Sequence, residues 1–93
     1  MQDGIENKSV KLIKVLGTII EEHRKKQEKS IYKISAESSM SKSTWREAEI
    51  GVCKNMNITT FWKIAEGLDI SPSKLMNELE EKLGQDFSLS DYD

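Results

Sequence analysis

The stretch SIYKISAESSMSKSTWREAEIG, Ser30 to Gly51, decides the reading of this chain. It reads as two short amphipathic helices joined by a tight turn and closed by Glu49-Ile50-Gly51. Ser30 stands at the start of the first helix and Ser41 at the start of the second, and serine accepts a hydrogen bond from an otherwise unpaired amide of the first turn. A helix-turn-helix uses this layout to bring its second helix into a DNA major groove.

Upstream, Leu12, Leu16, Ile19, Ile20 and His23 recur at helical spacing and predict a first helix from about Lys8 to Lys26, with Arg24 to Lys26 in its closing turn. Three later helix starts share one device, a capping residue preceded by an apolar residue and followed by another four positions into the helix. Met40-Ser41 pairs with Trp45, Met56-Asn57 with Phe61, and Ile70-Ser71-Pro72 with Leu75. Ser30 caps its helix without such a staple, because Lys29 precedes it. The expectation is an all-α, compact five-helix domain over residues 1–84, followed by an acidic flexible tail over 85–93. No alternating strand pattern and no internal repeat interrupts it.

Composition narrows the class. A chain of 93 residues with one cysteine, one proline and 32% charged residues is expected to be a single small domain. Lone Cys53 has no partner for an internal disulfide, which points to a reducing cytoplasm. No run of apolar residues is long enough for a membrane span, and the start, MQDGIENKSV, does not read as a secretion signal. The net charge of -2 argues at first against a nucleic-acid partner. Its distribution changes that: residues 1–63 hold 12 Lys and Arg against 8 Asp and Glu, whereas residues 64–93 hold 2 against 8. The acid is concentrated where it need not face the same partner.

With these elements in place, the chain resembles the helix-turn-helix regulators of the lambda repressor and Cro type, the XRE family, over about residues 16–76. Ser35 stands at that family's small residue inside helix two, Ser41-Lys42-Ser43-Thr44 at the start of the recognition helix, and Glu49-Ile50-Gly51 at its close. The apolar series Ile58, Phe61, Trp62, Ile64, Ala65, Leu68, Ile70 and Leu75 matches the pattern that follows. The resemblance implies a lambda repressor-like fold that binds double-stranded operator DNA. It also implies a structural ion pair between Arg24 and Glu49. If that pair is shielded and bidentate, breaking it is expected to cost about 2 to 4 kcal/mol.

The chain departs from the family at several positions. Ile31 occupies the place of a glutamine that contacts a phosphate and braces the recognition helix, so that hydrogen bond is lost. The backbone amides at the helix start can still receive a phosphate oxygen. Ser39 stands where glycine is common in the turn, and a non-glycine residue at positive φ costs on the order of 1 kcal/mol. Ser38 and Gln27 replace apolar residues, which is expected to thin the core around the turn.

For a helix beginning after Ser41, the helical repeat turns Trp45 and Ala48 inward and Lys42, Ser43, Arg46 and Glu47 outward. The resemblance assigns Lys42, Ser43 and Glu47 to base edges. Lys42 suits guanine O6 and N7, Ser43 either edge, and Glu47 cytosine N4, each contact giving about 1 to 3 kcal/mol of discrimination. Ser30, Ser41, Thr44, Arg46, Lys54 and Asn55 are assigned to the DNA backbone, which fixes register without reading bases.

Other candidates for chemistry are weaker. Trp45 and Trp62 read as core residues rather than stacking platforms. His23 has no second histidine or nearby cysteine to build a metal site, and Cys53 has no neighbouring histidine to form a nucleophilic pair. The five glycines form no phosphate-cradling loop, so neither an enzyme nor a cofactor is expected. The fifth helix, Pro72 to Leu83, aligns Leu75, Met76, Leu79 and Leu83 on one face. From Leu79 onward that stripe is either a homodimer interface, with Leu79 and Leu83 in it, or a surface packed on the first helix. The sequence reading is a cytoplasmic, sequence-specific DNA-binding regulator of transcription, of repressor type. The alternative is a protein-interaction module, an antitoxin or an adaptor, on the same fold.

Overall fold

The computed structural model describes the backbone of residues 4–53 and 56–90, with side chains from residue 8 onward. Five helices follow one another: α1 (Gly4–Lys26), α2 (Ile31–Glu37), α3 (Lys42–Ile50), α4 (Ile58–Gly67) and α5 (Pro72–Leu83). Among the described residues there is no strand, so the fold is all-α. Helix α1 starts at Gly4, four residues earlier than the apolar spacing alone predicts.

Each of the other four helices opens on a side-chain cap. Ser30 Oγ accepts from the Lys33 amide at 3.0 Å, Ser41 Oγ from Thr44 at 3.1 Å, Asn57 Oδ1 from Thr60 at 2.8 Å, and Ser71 Oγ from Lys74 at 3.1 Å. Losing one such cap typically costs about 1 kcal/mol.

The helix ends share a device that the sequence showed only at Ser39 and Gly51. After α1, α2, α3 and α4 the chain passes through one left-handed residue, respectively Glu28, Ser39, Gly51 and Asp69. In each case the next amide reaches back five residues along the turn: Lys29 to the carbonyl of Arg24, Met40 to Ser35, Val52 to Glu47 and Ile70 to Ala65. These are Schellman ends, which satisfy carbonyls that the helix leaves open. Only one of the four uses glycine; Ser39 sits at φ 59°, as its place in the turn predicts.

The core draws on every helix. Leu16, Ile19 and Ile20 of α1 pack with Ile34, Trp45, Phe61, Ile64, Leu68 and Leu75, while Leu12, Met40, Met56 and Ile70 close it from the sides. Each fully buried large apolar side chain contributes roughly 1.5 to 3 kcal/mol. Helix α1 lies against both α3 and α5. Its Gly17 lets the backbones touch, since a Cβ there would overlap the carbonyl oxygens of Ala48 and Glu49.

Several expectations are corrected by this packing. Trp62 is not a core residue: it is 51% exposed, and its indole Nε1 donates to Glu66 along the outer face of α4. Helix α4 is entered from the core side by Phe61, Ile64, Ala65 and Leu68, and Trp62 points away from that stripe. Ser38 and Gln27 do not thin the core. Buried Ser38 donates its hydroxyl to the Ser35 carbonyl at 3.1 Å, and Gln27 Nε2 donates to the Leu68 carbonyl at 2.7 Å, tying the end of α1 to the end of α4. On α5, Leu79 is buried in the core and Leu83 packs half-buried against it. Of the two surfaces considered for that stripe, the chain itself supplies α1.

After α5 the Phe87 amide donates to the Gly84 carbonyl at 3.2 Å, and Lys8 Nζ donates to the Ser90 carbonyl at 3.0 Å. Residues 84–90 thus run back alongside α1.

Candidate nucleic-acid interface

Helix α3 divides as its repeat requires. Trp45, Ala48 and Glu49 are buried, whereas Lys42, Ser43, Arg46 and Glu47 are exposed along one side. Lys42 and Arg46 have no ion-pair partner among the described residues, so both charges are available to a ligand.

What holds this helix is a buried carboxylate. Glu49 accepts from Arg24 Nε at 2.5 Å, from Arg24 Nη2 at 3.0 Å and from Trp45 Nε1 at 2.7 Å. A third guanidinium nitrogen of Arg24, Nη1, donates to the Lys29 carbonyl at 2.8 Å. The side chains of Arg24 and Glu49 are 12% and 4% exposed, so the pair is well shielded. The hydrogen bond from Arg24 to Glu49 raises the guanidinium pKa above its ordinary value against the opposing effect of burial. The Arg24–Glu49 pair therefore joins the end of α1, the turn before α2 and, through Trp45, the body of α3. The Arg24–Glu49 pairing expected from sequence is present, and the indole of Trp45 adds a third donor that sequence spacing did not indicate.

The start of α3 is fixed by Ser41, whose hydroxyl accepts from the Thr44 amide and donates to Thr44 Oγ1 at 2.9 Å. Both hydroxyls are engaged in capping while remaining at the surface. Ser30 has the same place at the start of α2, exposed and bonded to Lys33. Lys54 and Asn55, expected to grip the DNA backbone, lie outside the described residues.

One residue of this surface escaped the sequence reading. Tyr32, 70% exposed in the first turn of α2, has Lys42 Nζ over its ring at 5.5 Å from the centroid. This is cation–π range, and it sets the first turns of α2 and α3 side by side. Only the relative placement of the two helices brings these residues together. Farther along α2, Glu37 binds Lys29 at 2.7 Å and Lys33 at 3.6 Å. The hydrogen bond from Lys29 is the main cause holding the Glu37 carboxyl below its ordinary pKa. These two lysines are thereby partly neutralised, leaving Lys42 and Arg46 as the cations of α2 and α3 without an ion pair among the described residues.

Elsewhere, His23 Nε2 and Glu78 Oε1 share a hydrogen bond of 2.7 Å between α1 and α5. Cys53 is buried and free. No group of three His, Cys, Asp or Glu among the described residues converges to hold a metal ion, and no described helix is long and apolar enough to cross a membrane. Comparison with protein families, with curated proteins and with solved structures found no match.

Proposed function

We propose that the chain is a sequence-selective regulator of transcription that reads the major groove of double-stranded DNA with α3, as helix-turn-helix proteins of the XRE type do. The observation that carries this reading is the exposed edge Lys42, Ser43, Arg46 and Glu47 on a helix held from behind by the Arg24–Glu49–Trp45 cluster. A helix that must place side chains on base edges needs a rigid support and an outward polar face. Here Lys42 donates to guanine, Ser43 to either edge, Glu47 accepts from cytosine, and Arg46 meets a phosphate. The amide ends of α2 and α3, at Ser30 and Ser41, face the same backbone. Tyr32 takes over, by holding Lys42, part of the bracing that glutamine in place of Ile31 would give.

The test is selection of duplexes from a random pool, followed by anisotropy titration of the enriched duplex with the wild type and Lys42→Ala. Selective binding is expected, weakened about fortyfold between about 50 and about 200 mM salt if roughly three phosphates are neutralised. Lys42→Ala is expected to weaken it by about 5- to 100-fold and to relax preference at one base pair. No enrichment, or equal weak binding of both proteins to every duplex, refutes the proposal.

A further inference from the structure

On the side built from α1 and α5 the molecule carries an open trough of about 760 Å³. Its walls are Leu12, Met76, Leu79, Leu83, Phe87 and Leu89, with Glu80 and Glu81 along the edge. Through Leu12, Met76 and Leu79 it continues into a second depression of about 270 Å³, lined also by Ile13, Met56, Ile58 and Phe61. Ile58 is 69% exposed, Leu89 45% and Met76 42%. Contiguous apolar surface of this kind, with a polar edge, marks an interaction site more often than scattered apolar residues do. None of it belongs to the α2–α3 surface.

We propose that this trough is the docking site of an amphipathic helix from another protein, one whose apolar face is flanked by Lys or Arg. Charge decides the occupant. No Lys or Arg lines either depression among the described residues, and the edge that is charged is acidic. The charged residues that line it, Glu80 and Glu81, repel an acidic partner and steer a basic one. A second copy set symmetrically on the trough would bring Glu80 and Glu81 against their own copies. Shape agrees: helix-in-groove recognition uses an open trough with side-chain anchors, and Met76 and Met56 adapt their thioethers to the side chain that enters.

The probe is a fluorescein-labelled amphipathic Leu-Lys helical peptide, titrated into the full chain, with a Leu-Glu peptide and a Lys-Ser peptide as comparisons. The Leu-Lys peptide is expected to bind, the Leu-Glu peptide to fail, and the equally charged Lys-Ser peptide to bind far more weakly. Binding should fall at least about tenfold in the double variant Glu80→Lys, Glu81→Lys and about fivefold or more in Met76→Asn. It should be unchanged in Lys42→Ala, so loss of the DNA reading leaves this one standing. Circular dichroism checks that the variants fold, and amide shifts on adding peptide should map to α5, residues 84–90 and the α1 residues facing them. Equal affinity for the Lys-Ser peptide, shifts centred on α3, or indifference to both variants overturns the proposal. A concentration-dependent dimer that Met76→Asn makes monomeric overturns it too, in favour of a second copy.

Discussion

Replacing Arg24 by methionine removes three donors but keeps most of the side-chain volume. Glu49, with its side chain 4% exposed, then retains only the Trp45 indole as a partner, and the Lys29 carbonyl loses its guanidinium. Breaking an exposed pair costs 0 to about 1 kcal/mol, whereas stranding a buried charge costs about 3 to 5 kcal/mol. The surviving indole bond favours the lower end, about 3 kcal/mol. A 93-residue domain has roughly 5 to 14 kcal/mol of total stability, so this is a large fraction of it. The melting temperature should fall by about 12 to 24 °C. Urea unfolding followed by circular dichroism measures the loss, with an unchanged slope showing that two-state behaviour survives. Glu49→Gln keeps an acceptor for Trp45 without the charge. The double variant should therefore lose less than the two single losses added together, with a coupling of about 2 kcal/mol. A cost below about 1 kcal/mol for Arg24→Met, or strict additivity, would refute the claim that this carboxylate locks α3 to α1.

Gly17→Ala should destabilise the chain despite alanine's higher helix propensity, by about 1 to 3 kcal/mol, because the new methyl group overlaps two α3 carbonyls and separates the helices; thermal unfolding checks it, and a rise in stability would mean the approach is looser than described. Ser39→Gly should do the opposite, gaining up to about 1 kcal/mol at a left-handed turn position, seen as a higher urea midpoint; an unchanged midpoint would mean that serine carries no penalty there.

What the sequence disclosed and what it withheld differ by range. The N-caps at Ser41, Asn57 and Ser71 were legible with their staples because every participant lies within five positions, so local chemistry alone specifies them. The outward set on α3 followed from the repeat once the start was known. Trp62 misled because Phe61 and Trp62 are adjacent and apolar, yet neighbours on a helix lie about 100° apart and only one can face a narrow core stripe. Tyr32 over Lys42 and His23 on Glu78 depend on how helices cross, and nothing in either neighbourhood announces them. The trough is invisible in sequence for the same reason: Leu89 and Leu12 become its walls only when residues 84–90 run back along α1.

The position of Glu49 has an entropic consequence for anything that meets α3. The side chains that face outward are carried on a backbone whose freedom was already surrendered when the core formed. Docking a ligand there adds little further ordering of the helix and leaves only the tips of Lys42, Arg46 and Glu47 to be immobilised. The surface is thus pre-shaped, and any ligand has to fit it rather than bend it.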